Sequence, residues 1–429
     1  MRRGRGSDAT RDRSLAMTGP SGGAIAAAQA RSADPAAYAI GGTAPRQAVR
    51  AASADEVAET LRAAARDGLA VVPWGAGVAL AQETPPPCYD LALDLTALDR
   101  VIEYDPEDFT VTVECGVTIA TLRATLTARG QELPLEAAHA SRATVGGLLA
   151  ADASGPRRLR FGAPHDRILG AHLVLADGTR ARSGGKVVKN VAGYGTHRLL
   201  CGSRGGLAVI VAASLKIAPA PGARVALCYG ADAAALADAA RWRIFPRLEP
   251  AWLTVVERSL ATAPALGTDA PFTVVVGLED EPAWVQAQES ATTSALGAPA
   301  ARLAGEAAAA LVQTLADLEE TEGPRLSFTT TANTPAALAT WLARPAAGPF
   351  VFHAPAGRLH LFPRAEEASS AAEAAAECGL TLIGARGPAG RPPGPASLGG
   401  LLALRARLRA GLDPAGTLAL GEAWAAGLR

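Results

Sequence analysis

Most of the chemistry that can be read in this chain lies in three glycine-rich loops and a nearby pair of lysines. The first loop, Val72-Pro-Trp-Gly-Ala-Gly-Val-Ala-Leu80, follows the apolar run Ala70-Val-Val72. A Rossmann-type dinucleotide fingerprint needs G-x-G-x-x-G opening a helix. Gly75 and Gly77 supply the first two glycines, but Leu80 stands in the third place and Pro85-Pro-Pro87 bars a helix. The other use of such a loop is a nest of backbone N–H groups for phosphate oxygens; taken alone it also reads as a plain turn. In the second loop, Thr144-Val-Gly-Gly147, the paired glycines let backbone lie against a flat ring. Ala150-Ala-Asp-Ala-Ser-Gly155 and Pro156-Arg-Arg158 follow, with a hydroxyl on Ser154 and two guanidinium groups able to grip phosphate or carboxylate. The third segment, Gly184 to Gly206, holds Lys186 and Lys189, two of the three lysines of the chain, and Lys216 is the third. Arg carries positive charge elsewhere, so a compact ammonium is a local choice here.

These loops need elements to hold them. Ser53-Ala-Asp-Glu56 reads as a capping box opening a helix, and Thr118 caps a second helix, Ile119 to Arg129. Leu91–Leu95 and Phe109–Val113 alternate as half-buried strands, Ala171–Ala176 reads as a strand, and Leu207–Ile217 as a strand pair with a break. After Pro219-Ala-Pro221 the pattern becomes strands (225–229, 253–256, 272–277, 326–331) alternating with Ala-rich helices. Phe350–His353 and Arg358–Phe362 flank a turn as a hairpin. The expected fold class is α+β: a first domain of two α+β subdomains over 36–221, an α+β cap with an antiparallel sheet over 222–395, and a C-terminal helix over 396–429. Residues 1–35 read as an Arg-rich disordered tail.

Bulk properties exclude several classes. Forty-one Lys plus Arg balance forty-one Asp plus Glu, which gives no footprint for nucleic acid. No apolar run reaches the roughly 20 residues of a membrane-spanning helix. The five cysteines are scattered without a CxxC, so they read as reduced thiols and supply no iron–sulfur cluster.

The order of motifs is more specific than any one of them. A glycine loop after a strand is followed by T-x-G-G, A-x-G-P-R-R-x-R-x-G, D-x-x-L-G, A-D-G, G-G-x-x-x-K-N-V-A-G-Y and G-S-x-G. This order resembles the FAD-binding domain of the vanillyl-alcohol oxidase/PCMH flavoprotein superfamily, and within it the smaller FAD-binding subunit of bacterial glycolate oxidase. The likeness runs from about Val71 to Pro221, thins in the cap and returns faintly at Leu412–Leu418. It implies that Pro73, Trp74, Gly75, Ala76, Gly77, Val78, Ala79 and Leu80 hold the pyrophosphate. Thr144, Gly146, Gly147, Ser154 and Gly155 would line the ring and ribityl chain. Gly162 and Asp166 would lead back toward the pyrophosphate, Gly205, Gly206 and Ile210 would sit near the adenine, and Lys189, Asn190, Gly193 and Tyr194 would pack against the flavin-bearing core. FAD is expected to be non-covalent, since no His lies between Val71 and Glu83.

For the reaction the resemblance implies oxidation of glycolate or a similar 2-hydroxy acid. That needs a base, a cation for the carboxylate and a hydride acceptor. Arg157 is the candidate for the carboxylate, and His139 and Tyr194 for the proton. His353 and His360 could meet across the hairpin, but without a third ligand they make no metal pair, so no metal is expected. The implied partners are a larger FAD-binding subunit and an iron–sulfur subunit, in the cytoplasm or held peripherally at the inner membrane through them. A relay subunit without its own catalysis, or a solitary FAD-linked oxidase, are the alternatives.

Overall fold

A computed structural model describes residues 31–419 apart from 81, 82, 84, 187–193, 239–241, 243, 244, 261–265, 321, 322, 330–340, 343–347, 355, 356 and 387–398. The first domain joins two sheets. The smaller has the spatial order Arg31–Ala33, Gln47–Arg50, Leu91–Asp94, Val71–Trp74; its last three strands run parallel and the first antiparallel. The helix Ala54–Asp67 lies against it. Ser53 caps that helix by accepting the Glu56 N–H at 3.2 Å, and Glu56 reaches back to the Ala52 N–H at 2.8 Å. Val57, Leu61 and Ala64 recur at helical spacing and are buried. Residues 31–33 therefore pair in a sheet where a tail was expected, because ladder hydrogen bonds need backbone and no apolar pattern.

The second sheet is antiparallel, in the order Val101–Asp105, Thr110–Glu114, Val209–Lys216, Ile168–Val174, Arg180–Gly184. Leu207–Ile217 thus forms one long strand rather than a pair, and its irregularity appears as register shifts against Ile168–Val174. Both sheets and the helices Ile119–Thr127 and Val145–Ala151 share one apolar core. Near its C-terminus the chain returns to this domain. Thr417 and Ala419 bond the backbone of Val71 on either side, and Leu418 is fully buried.

The cap is an eight-stranded antiparallel sheet in the order Ala301–Ala304, Ala223–Ala231, Phe272–Asp280, Trp252–Glu257, Phe350–Ala354, Arg358–Leu361, Arg325–Thr329, Thr381–Arg386. Strand alternation divides its side chains between two faces. Leu253, Val255, Phe350, Phe352, Leu359, Leu361, Leu326 and Phe328 enter one core, which the helices Pro282–Leu296 and Ala368–Glu377 cover. Trp252, Val256, Val275 and Val351 enter another, covered by Glu306–Leu318. At one end of this second face the alternation delivers polar groups: Thr254, Ser327, His353, Arg358 and His360.

The helix Glu306–Leu318 also ties the domains together. Gln313 donates to the Ala137 carbonyl at 2.9 Å and accepts from Arg123 at 2.7 Å, and Asp317 accepts the His139 N–H at 2.8 Å.

Candidate functional site

A cleft opens in the first domain, with mainly apolar and backbone walls. All three glycine loops contribute to its wall. Pro73, Gly75, Ala76, Gly77, Val78, Ala79 and Leu80 line it from the first, Thr144, Gly146 and Gly147 from the second, and Gly205 from the third, with Ile210 on the strand that follows.

Local physics explains why backbone forms this wall. Thr144 caps the short helix Val145–Ala151 by accepting the Gly147 N–H at 3.1 Å. Gly146 donates its N–H to the Cys115 carbonyl at 2.8 Å, and a Cβ built on it would stand 2.8 Å from the Cys115 Cβ. Only glycine allows that approach. Gly77 has φ +73° and a built Cβ would fall 2.6 Å from the Trp74 ring. Trp74 itself faces away from the cleft; it is buried edge-on against Tyr38, ring centres 5.5 Å apart, and braces the loop from behind. Among the described residues, no hydrogen bond engages the N–H groups of Ala76, Gly77, Val78 or Ala79. Four backbone donors on a small-residue turn suit a diphosphate, and the flat apolar walls around Gly146, Gly147, Ala150 and Val209 suit a ring system. The residues present therefore fit FAD.

Other expected flavin contacts sit elsewhere. The Ser154 hydroxyl meets Arg158 at 3.0 Å, and Gly155 packs on Glu136, whose Cβ lies 2.6 Å from a built Cβ. Asp166 caps its own turn by accepting the Ala163 N–H at 2.9 Å, with Gly162 packed beside it. Gly206 bonds the Ser203 carbonyl in a turn behind the cleft wall. Lys189, Asn190 and Gly193 lie outside the described residues. Lys186 pairs with Glu103 at 2.5 Å on the surface.

The structure places the three catalytic candidates poorly for their roles. Arg157 is buried among carboxylates: Glu136 at 2.6 Å, Glu132 at 2.6 Å and Glu279 at 3.2 Å. Arg224 meets Glu279 at 2.8 Å and Glu132 at 3.1 Å from the other side. Burial works against the Arg157 charge, but Glu136, Glu279 and Glu132 overcome it and raise its pKa. With Nε and Nη1 engaged by three carboxylates and the residue 4% exposed and off the cleft wall, Arg157 is not placed to receive a substrate, and this corrects the sequence-based role. Arg157 instead rivets the first domain to the cap strand bearing Glu279. His139 is exposed at φ +53°, with its N–H committed to Asp317. Tyr194 is 91% exposed.

The polar groups on the cap face form the cluster that the sequence concealed. His353 Nε2 lies 3.1 Å from Glu319 Oε1, and His360 Nε2 lies 3.7 Å from Glu319 Oε2. Their Nδ1 atoms meet the hydroxyls of Thr254 at 3.0 Å and Ser327 at 2.9 Å. Glu319 caps the C-terminus of Glu306–Leu318, and its neighbour Glu320 lines the flavin cleft. Arg325 bonds the Glu319 carbonyl and pairs with Glu320 at 2.8 Å. Burial pushes His360 down to about 3, so it is neutral at pH 7. Burial would raise Glu319, but His360, the His353 hydrogen bond and Arg325 hold it well below the usual carboxylate range. One potential ligand atom from each of Glu319, His353 and His360 lies within 4.8 Å of the others. Glu319 thus stands where a third ligand could, and the set offers the N and O donors that transition-metal sites use. Arg358, the residue opposite His353 in the hairpin, reaches Asp152 of the first domain at 3.1 Å.

A cleft walled by backbone, beneath a cap sheet, suits an FAD-binding protein. Residues 45–184, about a third of the chain, match the FAD binding domain family, so this part of the chain is an FAD-binding domain. The solved p-cresol methylhydroxylase with substrate bound superposes with TM-score 0.65 at 15% identity over 89% of each chain. An alkyldihydroxyacetonephosphate synthase gives 0.64 at 16% identity over 88% of this chain and 77% of that one. At those identities the likeness is one of fold. In sequence, the chain is similar to glycolate oxidase subunit GlcE of Escherichia coli (strain K12), 36% identical over 36% of this chain and 45% of the relative. It is also similar to glycolate oxidase subunit GlcD of Bacillus subtilis (strain 168), 31% identical over 44% of this chain and 41% of the relative. A D-2-hydroxyglutarate dehydrogenase of Xanthomonas citri pv. viticola is 28% identical over 51% and 47%. The matched region thus spans less than half of each of these relatives.

Proposed function

We propose that this chain is an FAD-dependent oxidoreductase that converts glycolate or a similar 2-hydroxy acid to the 2-oxo acid. The observation that supports the reading is the backbone-walled cleft with Glu320 on its wall, the sequence neighbour of Glu319 in the Glu319–His353–His360 cluster. Relatives whose names specify glycolate, D-lactate and D-2-hydroxyglutarate support the substrate class. Bound FAD supplies a two-electron acceptor for the hydrogen at C2. The chain's own residues orient the acid, exclude water and take the hydroxyl proton. His353 and Glu319 are the candidates for that proton, since each holds the other in place at 3.1 Å. The backbone nest at Ala76–Ala79 holds the cofactor through hydrogen bonds alone, and no histidine stands in that loop to form a covalent link.

A second reading of the cluster is a divalent cation held by Glu319, His353 and His360, favoured by their mutual proximity. Such an ion would lower the pKa of a bound hydroxyl. Metal analysis of protein purified without chelator, against the Glu319→Gln variant, tests this reading. Equal metal content in both removes it.

The chain carries no cluster-binding cysteine motif, so we infer that electrons leave to a separate acceptor. An iron–sulfur subunit alongside a larger flavoprotein subunit fits the glycolate oxidase relatives. Among the described residues no helix is long and apolar enough to cross a membrane.

Anaerobic titration of the purified flavoprotein with glycolate, D-lactate and D-2-hydroxyglutarate tests the whole reading. Bleaching of the flavin by one of them is expected. Bleaching only after the larger subunit is added would make this chain a relay, and no bleaching under either condition would end the reading. Acid precipitation should leave the yellow colour in solution.

A further inference from the structure

With Arg157 sealed among three glutamates, the site needs another cation for the substrate carboxylate. The domain junction supplies one. Asp152 ends the helix Val145–Ala151 in the left-handed conformation, φ +55°, which Asp and Asn adopt more readily than other non-glycine residues. Its neighbours Ala150, Ala151 and Ala153 line the flavin cleft. Two guanidinium groups converge on a single oxygen of this carboxylate. Arg158 Nη1 is 3.3 Å and Arg358 Nη2 3.1 Å from Oδ2. The other oxygen, Oδ1, is buried without a hydrogen-bond partner, the nearest cationic candidate being His165 Nδ1 at 4.0 Å. One carboxylate thus serves two arginines, in a geometry that leaves guanidinium donors uncommitted and one of its own oxygens unused.

The two arginines differ in what else they touch. Arg158 is committed again, to the Ser154 hydroxyl at 3.0 Å. For Arg358, Asp152 is the one hydrogen-bond partner among the described residues. Arg358 stands opposite His353 in the hairpin and two residues before His360, so strand alternation puts it on the same face as both imidazoles. Burial and the nearby Arg158 charge disfavour its cationic form. A second anion would relieve that.

We propose that Arg358 receives the carboxylate of the 2-hydroxy acid, and that Asp152 is the resident counter-ion the substrate displaces or shares. The inference rests on the reading of the site as a hydroxy-acid oxidase. It adds which residue selects for the acid and how the empty site is kept charge-balanced. Because Arg358 shares its sheet face with His353 and His360, a carboxylate held there would bring its C2 hydroxyl toward the imidazoles. The site is thereby selective for acids over plain alcohols, because an uncharged alcohol cannot replace Asp152.

The test uses the flavin-loaded protein and two readouts. The first is binding of oxalate, an acid that cannot reduce flavin, followed by perturbation of the flavin spectrum. The second is anaerobic reduction by the best hydroxy acid. Arg358→Met is expected to weaken oxalate binding and raise the half-saturating hydroxy acid concentration by at least about 30-fold, the low end for loss of a buried charge partner. The limiting reduction rate should fall much less. Arg358→Lys should recover part of the binding, since it keeps the charge but loses the planar fork. Asp152→Asn tolerates the left-handed backbone and removes the competing anion, and should tighten oxalate several-fold. Should Arg358→Met fail to hold flavin, the Lys and Asn variants still decide. Unchanged oxalate binding in all flavin-loaded variants overturns the proposal. If oxalate binding depends on Arg358 while no hydroxy acid reduces the flavin, the anion site stands and the oxidase reading falls. If wild type and Arg358→Met are reduced alike, the oxidase reading stands and this inference falls.

Discussion

The two sides of the site are built by opposite means. The first domain offers the cofactor backbone: N–H groups at Ala76–Ala79, and glycines where a side chain would collide, as at Gly146. The cap offers side chains: a carboxylate, two imidazoles and a guanidinium spaced along one sheet face. A backbone wall tolerates change in its side chains but none in its glycines. A side-chain cluster is the reverse, since each group can be removed singly while the strands beneath it remain. The larger penalties are therefore expected where glycine or buried charge is altered, and the finer, chemistry-specific ones on the cap face.

The harshest way to probe the backbone wall is Gly77→Val. A β-branched side chain at φ +73° is strained, and its Cβ would press on the Trp74 ring at 2.6 Å. Purified protein is expected to carry less than about a tenth of the wild-type flavin, with a strain cost of about 1–3 kcal/mol. Flavin absorbance per mole of protein measures this, and full occupancy would mean that the loop does not hold the cofactor.

Next in size is the ion cluster that joins the two sides. Arg157→Met leaves Glu136 and Glu279, both nearly inaccessible, short of a cation. Removing one partner of a buried pair costs about 3–5 kcal/mol. The Glu136 oxygen that already lacks a hydrogen-bond partner shows how little slack the cluster has. Urea unfolding of the loaded protein reads the loss, and adding Glu136→Gln to Arg157→Met should restore part of it. If the single variant is as stable as wild type, the cluster does not join the domains in the way its geometry implies.

These contrasts also explain what could be read from sequence. Flavin loops are local: Gly75 with Gly77, and Thr144 with Gly147, lie within three residues of each other, so spacing alone reveals them. The caps at Ser53 and Thr118 and the hairpin around His353 and His360 are legible for the same reason. Arg157 was misread because its partners lie 21, 25 and 122 residues away, and nothing near Pro156-Arg-Arg158 signals them. Glu319 was missed because it sits 34 residues before His353, at the end of an Ala-rich helix whose docking is set by the whole cap. Arg358 carried a usable signal, since two-residue alternation places it on the face of His360. What the sequence withholds is long-range convergence of charge, the kind of contact that only the finished fold creates.

A smaller effect separates the one buried carboxylate of the first sheet from those of the junction. Asp94 accepts Tyr38 Oη at 2.7 Å, Arg50 Nε at 2.7 Å and the Thr96 N–H at 2.8 Å. Burial opposes its charge, but these donors prevail and hold its pKa below the usual 3.8. Below pH 3.8 the unfolded aspartate takes up a proton that the folded one still refuses, so stability falls with pH in that range. Asp94→Asn is expected to cost about 1.5–3 kcal/mol at pH 7. The gap from wild type should narrow as pH drops below 3.8, and a gap that is constant with pH would show that the charge is not what the three donors hold.

The smallest expected effect tests whether the backbone wall depends on the side chain that caps it. The Thr144 hydroxyl accepts the Gly147 N–H at 3.1 Å and fixes the first turn of a helix only seven residues long. Thr144→Ala should cost about 1 kcal/mol, the usual value of such a cap. It should leave oxalate binding at the Arg358 side unchanged, because Asp152 lies at the other end of that helix and is held by its own backbone bond to Leu149 at 3.2 Å. Flavin affinity should fall only a few-fold, as Gly146 keeps its bond to Cys115. Loss of flavin comparable to that of Gly77→Val would mean that the hydroxyl touches the cofactor directly, and the division between a backbone wall and a side-chain face would no longer hold.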